Sequence, residues 1–537
     1  MKNGQRVTSK GNQNISITDL LFDAAEAWSN KPAVSFLGKT QTWSETKSRC
    51  HAAATLLRGA GVQRGDRVAY LGLNSNVCFE CYYFPALIGA VTVPINYRLS
   101  LREMIECAED CEPLVLIVDE NYIEQARQLK NSCESLQMII SFGGEVTPNG
   151  MISYEEGLQK IISSRTYCEL APSKGDEVVI IFYTGGTTGR SKGVMLSNIN
   201  FKVNTDCSIP LYRMQKHWAF LIIGPLFHLA AGSRVFSNTA LGGHAVIMPK
   251  FDVARLLEAV DRYNINSATL VPTMYQMILD HPRFGEFNLS SLKMLASGAA
   301  PLSIALLSRI VKAFPETEFF QTYGMTEASP ILTSLDSKYQ VLDGSNSNKL
   351  GSVGLPVEHI DLIIADENDL PLPPNSIGQI LARGPNIMKG YWQMPELTEE
   401  ALKDGWFHTG DAGYLDEDGF LFLEGRVKDM IVSGGENIYS IEVENILENH
   451  TAIYQCAVIG IPHETWGEAV HAIVILKEGF EVAENELITF CKNQIAGYKC
   501  PVSITFREEP MPLSPINKIL KTELRKPFWE GRDSSIV

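Results

Sequence analysis

Apolar runs of strand length alternate with amphipathic segments through the first two-thirds of the chain. Residues 67–73 and 91–95 are short, apolar and rich in β-branched side chains, which predicts buried strands. Apolar positions at helical spacing predict a helix over 76–90 between them, and an earlier helix that runs from its cap at Ser44 to about residue 58. Strands that alternate with helices in this way are typical of βαβ units, so we expect a largely parallel sheet.

The same alternation continues through the middle of the chain. Further strands are predicted over residues 178–182, 219–223, 245–248 and 267–273. Two more strands run into loops of small, aromatic or acidic residues at 295–301 and 318–327. Ligands in open α/β sheets bind beyond the carboxyl ends of the strands, so we expect the functional residues in these loops.

The pattern changes after about residue 350. Short strands with Gly, Pro and Asp turns indicate a small β-rich subdomain, and a compact unit of about 110 residues follows it. The predicted fold class is therefore α/β. We expect a large N-terminal domain, residues 1–426, of βαβ-type subdomains plus the small β-rich subdomain, and a small mobile α+β C-terminal domain, residues 427–537.

Composition narrows the classes of function. The 537 residues are too many for one hydrophobic core, and 45% hydrophobic with 20% charged residues is typical of a soluble globular protein. The net charge of -16 argues against nucleic acid as a partner, because a phosphate backbone requires a basic surface. No run reaches the roughly 18 apolar residues of a transmembrane helix, and no secretory signal is visible at the polar residues 1–6.

The eleven cysteines follow no disulfide or zinc-binding spacing. Cys78 and Cys81 form a C-x-x-C pair within an apolar, helix-like run, and no second Cys or His pair follows at zinc spacing, so we predict that both pack in the core. Free thiols in a chain of this length fit a reducing compartment, and we expect a cytoplasmic protein.

A loop rich in glycine and hydroxyl groups follows the strand over 178–182. Residues 183–193 read Tyr-Thr-Gly-Gly-Thr-Thr-Gly-Arg-Ser-Lys-Gly. Glycines let backbone N–H groups approach an anion, hydroxyls add donors, and Arg190 and Lys192 add charge, so the loop suits a polyphosphate. It is not a P-loop, because Ser191 precedes Lys192 and a glycine follows it. A glycine-rich surface turn is the alternative interpretation.

Other motifs follow this loop in a fixed order. They are Tyr-Gly-Met-Thr-Glu at 323–327, Gly-Trp-Phe-His-Thr-Gly-Asp at 405–411, Gly425-Arg426 with Lys428-Asp429, and Asn517-Lys518. Together they resemble the adenylate-forming superfamily of acyl-CoA synthetases, firefly luciferases and nonribosomal peptide adenylation domains. The likeness extends over about residues 15–530, and the segment 434–438 resembles the form found in CoA ligases of the fatty-acid type.

The resemblance implies that ATP, Mg²⁺ and coenzyme A take part in the reaction. The residues that it implies for the phosphates and the adenine are Thr184, Gly185, Gly186, Thr187, Thr188, Gly189, Arg190, Lys192, Ser297, Gly298, Ala299, Ala300, Gln321, Thr322, Tyr323 and Gly324. Asp411 would accept hydrogen bonds from the ribose hydroxyls, with help from Arg426. Glu327 would bind Mg²⁺, a hard cation that prefers oxygen ligands, with Thr326 beside it near the phosphates.

The resemblance also implies two half-reactions in one site. Lys518 would bridge the α-phosphate and the substrate carboxylate during acyl-adenylate formation. The C-terminal domain would then turn about Lys428, withdraw Lys518 and bring Gly434, Gly435 and Glu436 to the thiol of CoA. His228 would lie beside the acyl and pantetheine channels. Asn517 stands where glycine is usual, and Lys521 is the competing candidate for the catalytic lysine.

The sequence defines the acyl substrate less precisely than it defines the nucleotide site. The residues expected to line its pocket are Phe227, Ala231, Gly232, Thr273, Met274 and Met325. None of these is a cation, so a second carboxylate on the substrate lacks an obvious partner, and a fatty or aryl-type monocarboxylic acid is expected. A carrier protein in place of CoA and a non-catalytic binding protein are the alternatives. A homodimer is considered among the partners.

Overall fold

The structure is a computed structural model that describes residues 14–184, 191–298, 302, 304–344, 346–426, 430–433, 436–513 and 519–530, with the backbone alone for residues 426, 432, 436 and 437. In chain order, the helices α1 to α15 span Ile17–Ala27, Trp43–Gly59, Asn76–Cys81, Leu101–Cys111, Ile123–Ser132, Tyr154–Ser164, Asn198–Leu211, Leu229–Ala240, Val253–Tyr263, Pro272–Leu279, Ile304–Ala313, Pro395–Ala401, Ser440–Glu448, Glu484–Lys492 and Lys521–Trp529.

The strands are mostly four to seven residues long. Strands β1 to β9 span Pro32–Phe36, Lys39–Thr42, Arg67–Leu71, Val91–Ile95, Pro113–Asp119, Met138–Phe142, Ile152–Ser153, Val178–Thr184 and Lys192–Ser197. Strands β10 to β18 span Ala219–Ile222, His244–Ile247, Ser267–Leu270, Met294–Ser297, Glu318–Gly324, Ile331–Leu335, Ser352–Pro356, Asp361–Ala365 and Gly378–Arg383. Strands β19 to β26 span Gly390–Tyr391, Phe407–Leu415, Leu421–Arg426, Ile431–Ser433, Glu436–Ile438, Ile453–His463, Gly467–Leu476 and Ser503–Phe506.

Within the described residues these strands form three sheets. The largest has 13 strands in the order β17-β18-β20-β21-β16-β15-β14-β13-β12-β10-β11-β1-β2, and its segment from β14 to β1 is parallel. The second has eight strands in the order β19-β9-β8-β4-β3-β5-β6-β7, with a parallel centre. The third joins β22 to β26 around the antiparallel pair β24 and β25. The α/β prediction is therefore confirmed.

The predicted β-rich region continues the large sheet instead of forming a detached one. Strands β16 to β18, β20 and β21 pair antiparallel with one another, and β16 joins them to β15. Strand β20 thereby comes close to the carboxyl end of β14. Loops that lie almost a hundred residues apart in the chain meet at this edge.

Three predicted element boundaries are wrong. The helix expected over 76–90 ends at Cys81, and only a short 3₁₀ turn follows Pro85, because proline has no N–H to continue a helix. The strand expected over 267–273 ends at Leu270, since Pro272 occupies the first turn of α10, where its missing N–H costs nothing. Helix α2 is capped by Thr42 and not by Ser44, through a capping box with Glu45.

The core is divided between the two faces of the large sheet and the interior of the smaller ones. Phe220 and Phe320 face α7 and α8 on one side, whereas Leu221 and Phe319 face α9 to α11 on the other. Cys78 and Cys81 are buried in the first of these clusters, as predicted for core packing. Across the described part of the chain, no helix has both the length and the apolar content to span a membrane.

Candidate active site

The candidate adenine residues lie on two neighbouring strands. Ser297 ends β13 and pairs with Gln321 of β14, and the Thr322 hydroxyl donates to the Ser297 carbonyl at 3.4 Å. A Cβ added to Gly298 would lie 2.9 Å from Thr322 Oγ1, so this position has room only for glycine. The two strands thus end in a tightly packed surface of small residues. Ala299 and Ala300 lie outside the described residues.

Tyr323 and Asp411 form a buried hydrogen-bonded pair. The Tyr323 hydroxyl, at the end of β14, donates to Asp411 Oδ2 at 2.7 Å, and both residues are more than 90% buried. On the neighbouring strand the backbone of Arg426 pairs with that of Asp411. The Asp411 N–H donates to Thr409 Oγ1, which fixes the turn before the carboxylate. The three residues expected at the adenosine are therefore brought together, although the Arg426 side chain lies outside the description.

The phosphate-loop candidates stand at the ends of an antiparallel pair. Thr184 ends β8 and pairs with Lys192, the first residue of β9. Residues 185–190, which carry the other predicted phosphate contacts, lie outside the described residues. Just before the loop, the Tyr183 hydroxyl donates to Asp110 Oδ2 at 2.5 Å. Burial raises the pKa of Tyr183, which keeps this hydroxyl protonated as a donor.

Tyr391 links the phosphate loop to the candidate metal ligand. The Lys192 ammonium lies 5.0 Å from the centre of the Tyr391 ring, in cation–π geometry. The Tyr391 hydroxyl donates to Glu327 Oε1 at 3.1 Å, and the Glu327 carbonyl accepts from Met388 N–H at 2.8 Å. Thr326 is buried beside it, in the 3₁₀ turn that follows Met325. The sequence analysis missed Tyr391, since its place depends on the pairing of β19 with β9.

The residues predicted for the acyl pocket have mixed environments. His228 caps α8 and accepts from Ala230 N–H, and Phe227 packs edge-on against Tyr97. Ala231 lines a small cavity beneath α8. Gly232 packs against Tyr82, and an added side chain would collide with that phenol.

The remaining predicted pocket residues differ in exposure. Met274 is buried in the core on the far face of the sheet, Thr273 is exposed in the first turn of α10, and Met325 is half-buried against the main core. Gly324 ends β14 where an added Cβ would collide with the Pro330 carbonyl. Of these predicted pocket residues, Ala231 borders the small cavity beneath α8.

One of the CoA-segment candidates, Glu436, lies on a strand of the third sheet. Its backbone in β23 pairs with that of Ser433 in β22. Gly434 and Gly435 themselves, like Lys428 and Lys518, lie outside the described residues. The competing lysine, Lys521, donates to the Ser440 hydroxyl at 2.6 Å and pairs with Glu444 at 2.7 Å. These bonds hold Lys521 within the C-terminal part of the chain.

An acidic side chain near the predicted domain boundary is unusually easy to protonate. Burial raises the pKa of Glu424, on β21, to about 7, with repulsion from Glu442 adding to the rise and Lys499 opposing it. Glu442 and Lys499 are themselves paired at 2.8 Å. The pKa of Glu424 therefore depends in part on Glu442, which α13 places near β21.

Comparison with known proteins decides the family. The AMP-binding enzyme family model matches residues 21–392, and the model of the AMP-binding enzyme C-terminal domain matches residues 442–518. The chain belongs to the AMP-binding enzyme family. This membership confirms the resemblance inferred from the motifs, and with it the binding of ATP or AMP. The assignment of individual residues to the nucleotide stays a prediction.

Named relatives of this family match almost the whole chain. Feruloyl-CoA synthase from an Amycolatopsis species is 37% identical over 92% of this chain and 96% of its own length. Long-chain-fatty-acid–CoA ligase from Bacillus subtilis strain 168 is 32% identical over 95% of this chain and 94% of its own. The crystal structure of ATP-bound MatB from Rhodopseudomonas palustris superposes with a TM-score of 0.86 at 27% identity, covering 96% and 99% of the two chains.

Proposed function

We propose that the chain is an AMP-forming acid–thiol ligase that converts a fatty or aryl-type monocarboxylic acid to its CoA thioester. The relatives named above are CoA ligases for acids of these two kinds, so a carrier protein in place of CoA is not favoured. The first half-reaction joins the acid to ATP as an acyl-adenylate and releases pyrophosphate. The second transfers the acyl group to the thiol of CoA and releases AMP.

The loop 323–327 is the observation that carries this proposal. At one end, Tyr323 is bonded to Asp411, a buried carboxylate suited to the two hydroxyls of a ribose. At the other end, Glu327 is bonded to Tyr391, which in turn holds Lys192 of the phosphate loop. One short loop therefore connects a nucleoside-binding group to a phosphate-binding group, which is what a site for ATP requires.

The first half-reaction is a displacement at phosphorus. A carboxylate oxygen of the acid attacks the α-phosphorus, and the bond from that phosphorus to the bridging oxygen of pyrophosphate breaks. Both reactants are anions, so positioned cations lower the barrier where negative charge accumulates. Lys192 and Arg190 would accompany the leaving pyrophosphate, and Lys518 would hold the attacking carboxylate against the α-phosphate.

The described residues fit a magnesium ion that ATP brings with it. No group of three or more metal-ligating side chains occurs among them, so a cage made by the protein alone is absent from the described part. Mg²⁺ commonly binds through one or two carboxylates plus substrate phosphates and water, and Glu327, near Lys192, offers such a carboxylate. When bound there, Mg²⁺ would neutralise phosphate charge.

The second half-reaction needs a different arrangement of the same site. We propose a boundary between residues 1–426 and 427–537, with Lys428 as the hinge. Turning the C-terminal domain would remove Lys518 and bring Gly434, Gly435 and Glu436 to the acyl-adenylate beside His228. The thiolate of CoA then attacks the acyl carbon, and AMP leaves with its phosphate oxygen.

Two further expectations belong to the proposal. The free, mostly buried thiols fit the reducing cytoplasm. A homodimer remains a prediction, since the structure is of one chain.

The proposal is tested by ATP–pyrophosphate exchange across short, medium and long-chain aliphatic acids and aromatic acids, with Mg²⁺. We expect exchange with a subset of these acids that share a length or ring size. Absence of exchange with every acid would contradict the proposed function. Exchange that requires a second carboxylate or an amino group on the acid would contradict the monocarboxylate class.

A further inference from the structure

Arg234 is a buried arginine without an acidic partner. It lies in the middle of α8 and is 9% exposed. Its Nε and Nη1 atoms have no hydrogen-bond partner among the described residues. Burial of an unpaired charge is costly, so buried arginines normally bind carboxylates or carbonyl groups. Two strong donors are therefore left without an acceptor in the described part of the chain.

Stacking on an aromatic ring accounts for only part of the environment of Arg234. The guanidinium carbon lies 4.3 Å from the centre of the Tyr212 ring, which is also fully buried. This cation–π contact stabilises the charge but occupies a face of the guanidinium and not its N–H groups. The Tyr212 hydroxyl also has no partner among the described residues, so it adds a further unpaired donor near the same place.

The chain treats another buried arginine differently. Arg49 donates to Glu80 at 2.6 Å and to Glu155 at 2.7 Å, so its guanidinium is paired with two carboxylates. Glu80 is completely buried and serves this pairing. The fold thus neutralises a structural arginine in the usual way. Arg234 lacks such an acceptor among the described residues, which leaves its donors available to a ligand.

Arg234 lines a small cavity together with Ala231, a residue predicted for the acyl pocket. The cavity lies between α8 and the large sheet and measures about 20 Å³. Its lining also includes Ser267, Gly224 and Thr269. Gly224 and Thr269 lie at or just beyond the carboxyl ends of β10 and β12, where the substrate is expected. A volume of this size holds about one water-sized group.

Arg234 lies one helical turn beyond Ala231, on the same face of α8. The sequence analysis counted no cation in the acyl pocket, because it followed the pocket only to Gly232. Ser267, which lines the same cavity, donates its hydroxyl to Met294 Sδ, and Nε and Nη1 of Arg234 have no acceptor among the described residues. The cavity leaves room for an acceptor supplied by a ligand.

We propose that Arg234 binds an oxygen acceptor at the far end of the acyl substrate, so that the preferred monocarboxylic acids carry a hydroxyl or carbonyl oxygen there. The inference rests on the proposed function and narrows its substrate class. The oxygen fills the small end of the cavity and accepts from Nε or Nη1. A methyl group at that position leaves the charge buried and unpaired, which penalises plain hydrocarbon chains.

The test compares acids of equal length that end in a methyl, a hydroxyl or a carboxylate group, with ATP–pyrophosphate exchange as the assay. In the wild-type protein, we expect kcat/KM for the best oxygen-bearing acid to exceed that for its methyl-terminated partner by about 10- to 100-fold. Arg234→Met should abolish or invert this preference, and Arg234→Lys should retain part of it. A preference for the carboxylate-terminated acid over the hydroxyl-terminated acid would contradict both the inference and the monocarboxylate class.

Arg255→Met, which changes an exposed arginine on α9, is the matched control and should leave all ratios unchanged. Equal kcat/KM for the three end groups in the wild-type protein would overturn the inference and leave the proposed function intact. The same would follow from an Arg234→Met protein that loses activity equally with every acid and melts at a lower temperature, since that result indicates a packing role. Absence of ATP–pyrophosphate exchange with every acid would overturn the proposed function, and this inference with it.

Discussion

The hydrogen bond between Tyr323 and Asp411 gives the sharpest test of the nucleotide site. Tyr323→Phe removes one hydroxyl and leaves the ring, which is buried and can stay in place. Asp411 Oδ2 then loses a donor at 2.7 Å. The carboxylate is freer to rotate, and its hydrogen bonds to the ribose become harder to form.

The size of the effect follows from the kind of bond. A hydrogen bond to an ionised group contributes about 1.5 to 3 kcal/mol. Transferred completely to ATP binding, this would weaken affinity by about 10- to 150-fold. The ribose hydroxyls themselves can still donate to Asp411, so we expect the lower end, a rise of roughly tenfold in KM for ATP. The KM for the acid should change much less.

A second tyrosine–carboxylate pair provides the matched control. The Tyr154 hydroxyl donates to Glu80 Oε2 at the same 2.7 Å, and both residues are buried beside the eight-stranded sheet. Tyr154→Phe should lower the melting temperature as Tyr323→Phe does, but it should leave the KM for ATP unchanged. The assay is ATP–pyrophosphate exchange at varied ATP, with thermal unfolding of each variant.

The reasoning would be refuted by Tyr323→Phe protein with a lowered melting temperature and an unchanged KM for ATP. That outcome would show that the pair only supports the fold. Equal increases of KM in both variants would also count against a local role, because Tyr154 and Glu80 lie on helices α6 and α3 and not on the strands that carry Tyr323 and Asp411.

Three further predictions concern metal, catalysis and pH. Glu327→Gln should raise the Mg²⁺ concentration for half-maximal exchange by about tenfold or more, because an amide lacks the charge that binds the ion. Glu399→Gln, a change at an exposed position, should leave that concentration unchanged. Equal Mg²⁺ curves for the two variants would contradict the role of Glu327 as a metal ligand. Lys518→Ala should lower adenylation by about a thousandfold yet spare thioester formation from preformed acyl-adenylate, whereas equal loss in both steps would count against domain alternation. The pKa of Glu424 is raised to about 7 beside Glu442, above its ordinary value of about 4.3, so the packed arrangement is most stable at low pH and loses stability as pH rises through 7. The melting temperature should fall more steeply from pH 5 to 8 in the wild type than in Glu424→Gln, and parallel curves would disprove this.

Local sequence pattern was enough to predict the strands and the loops that follow them. The apolar run before Tyr183 and the run that ends in Tyr323 are both strands, and both lead into candidate ligand loops. The meeting of Tyr323 with Asp411 followed from motifs of a known family and not from periodicity, since the two residues are 88 positions apart. Pairing across such distances is set by the order of strands in the sheet, which no local pattern encodes.

The wrong helix ends result from local sequence signals that compete with one another. The apolar residues Leu270 and Val271 predict that the strand continues through Pro272. Proline is, however, also common in the first turn of a helix, where it lies in the structure. Thr42 and Glu45 form a capping box that outcompetes Ser44. By contrast, the roles of Tyr391 and Arg234 depend on the side chains that surround them in the fold. Tyr391 is bonded to the carboxylate of Glu327, whereas Nε and Nη1 of Arg234 have no hydrogen-bond partner among the described residues.

The most direct test is to identify the product by mass spectrometry. An acid that supports ATP–pyrophosphate exchange is incubated with ATP and Mg²⁺, and with CoA, with a phosphopantetheinyl carrier protein, or with neither. The account predicts acyl-CoA and AMP in equal amounts when CoA is present, and only bound acyl-adenylate without it. Acyl groups on the carrier protein with no acyl-CoA, or adenylate turnover that ignores CoA, would contradict the central claim.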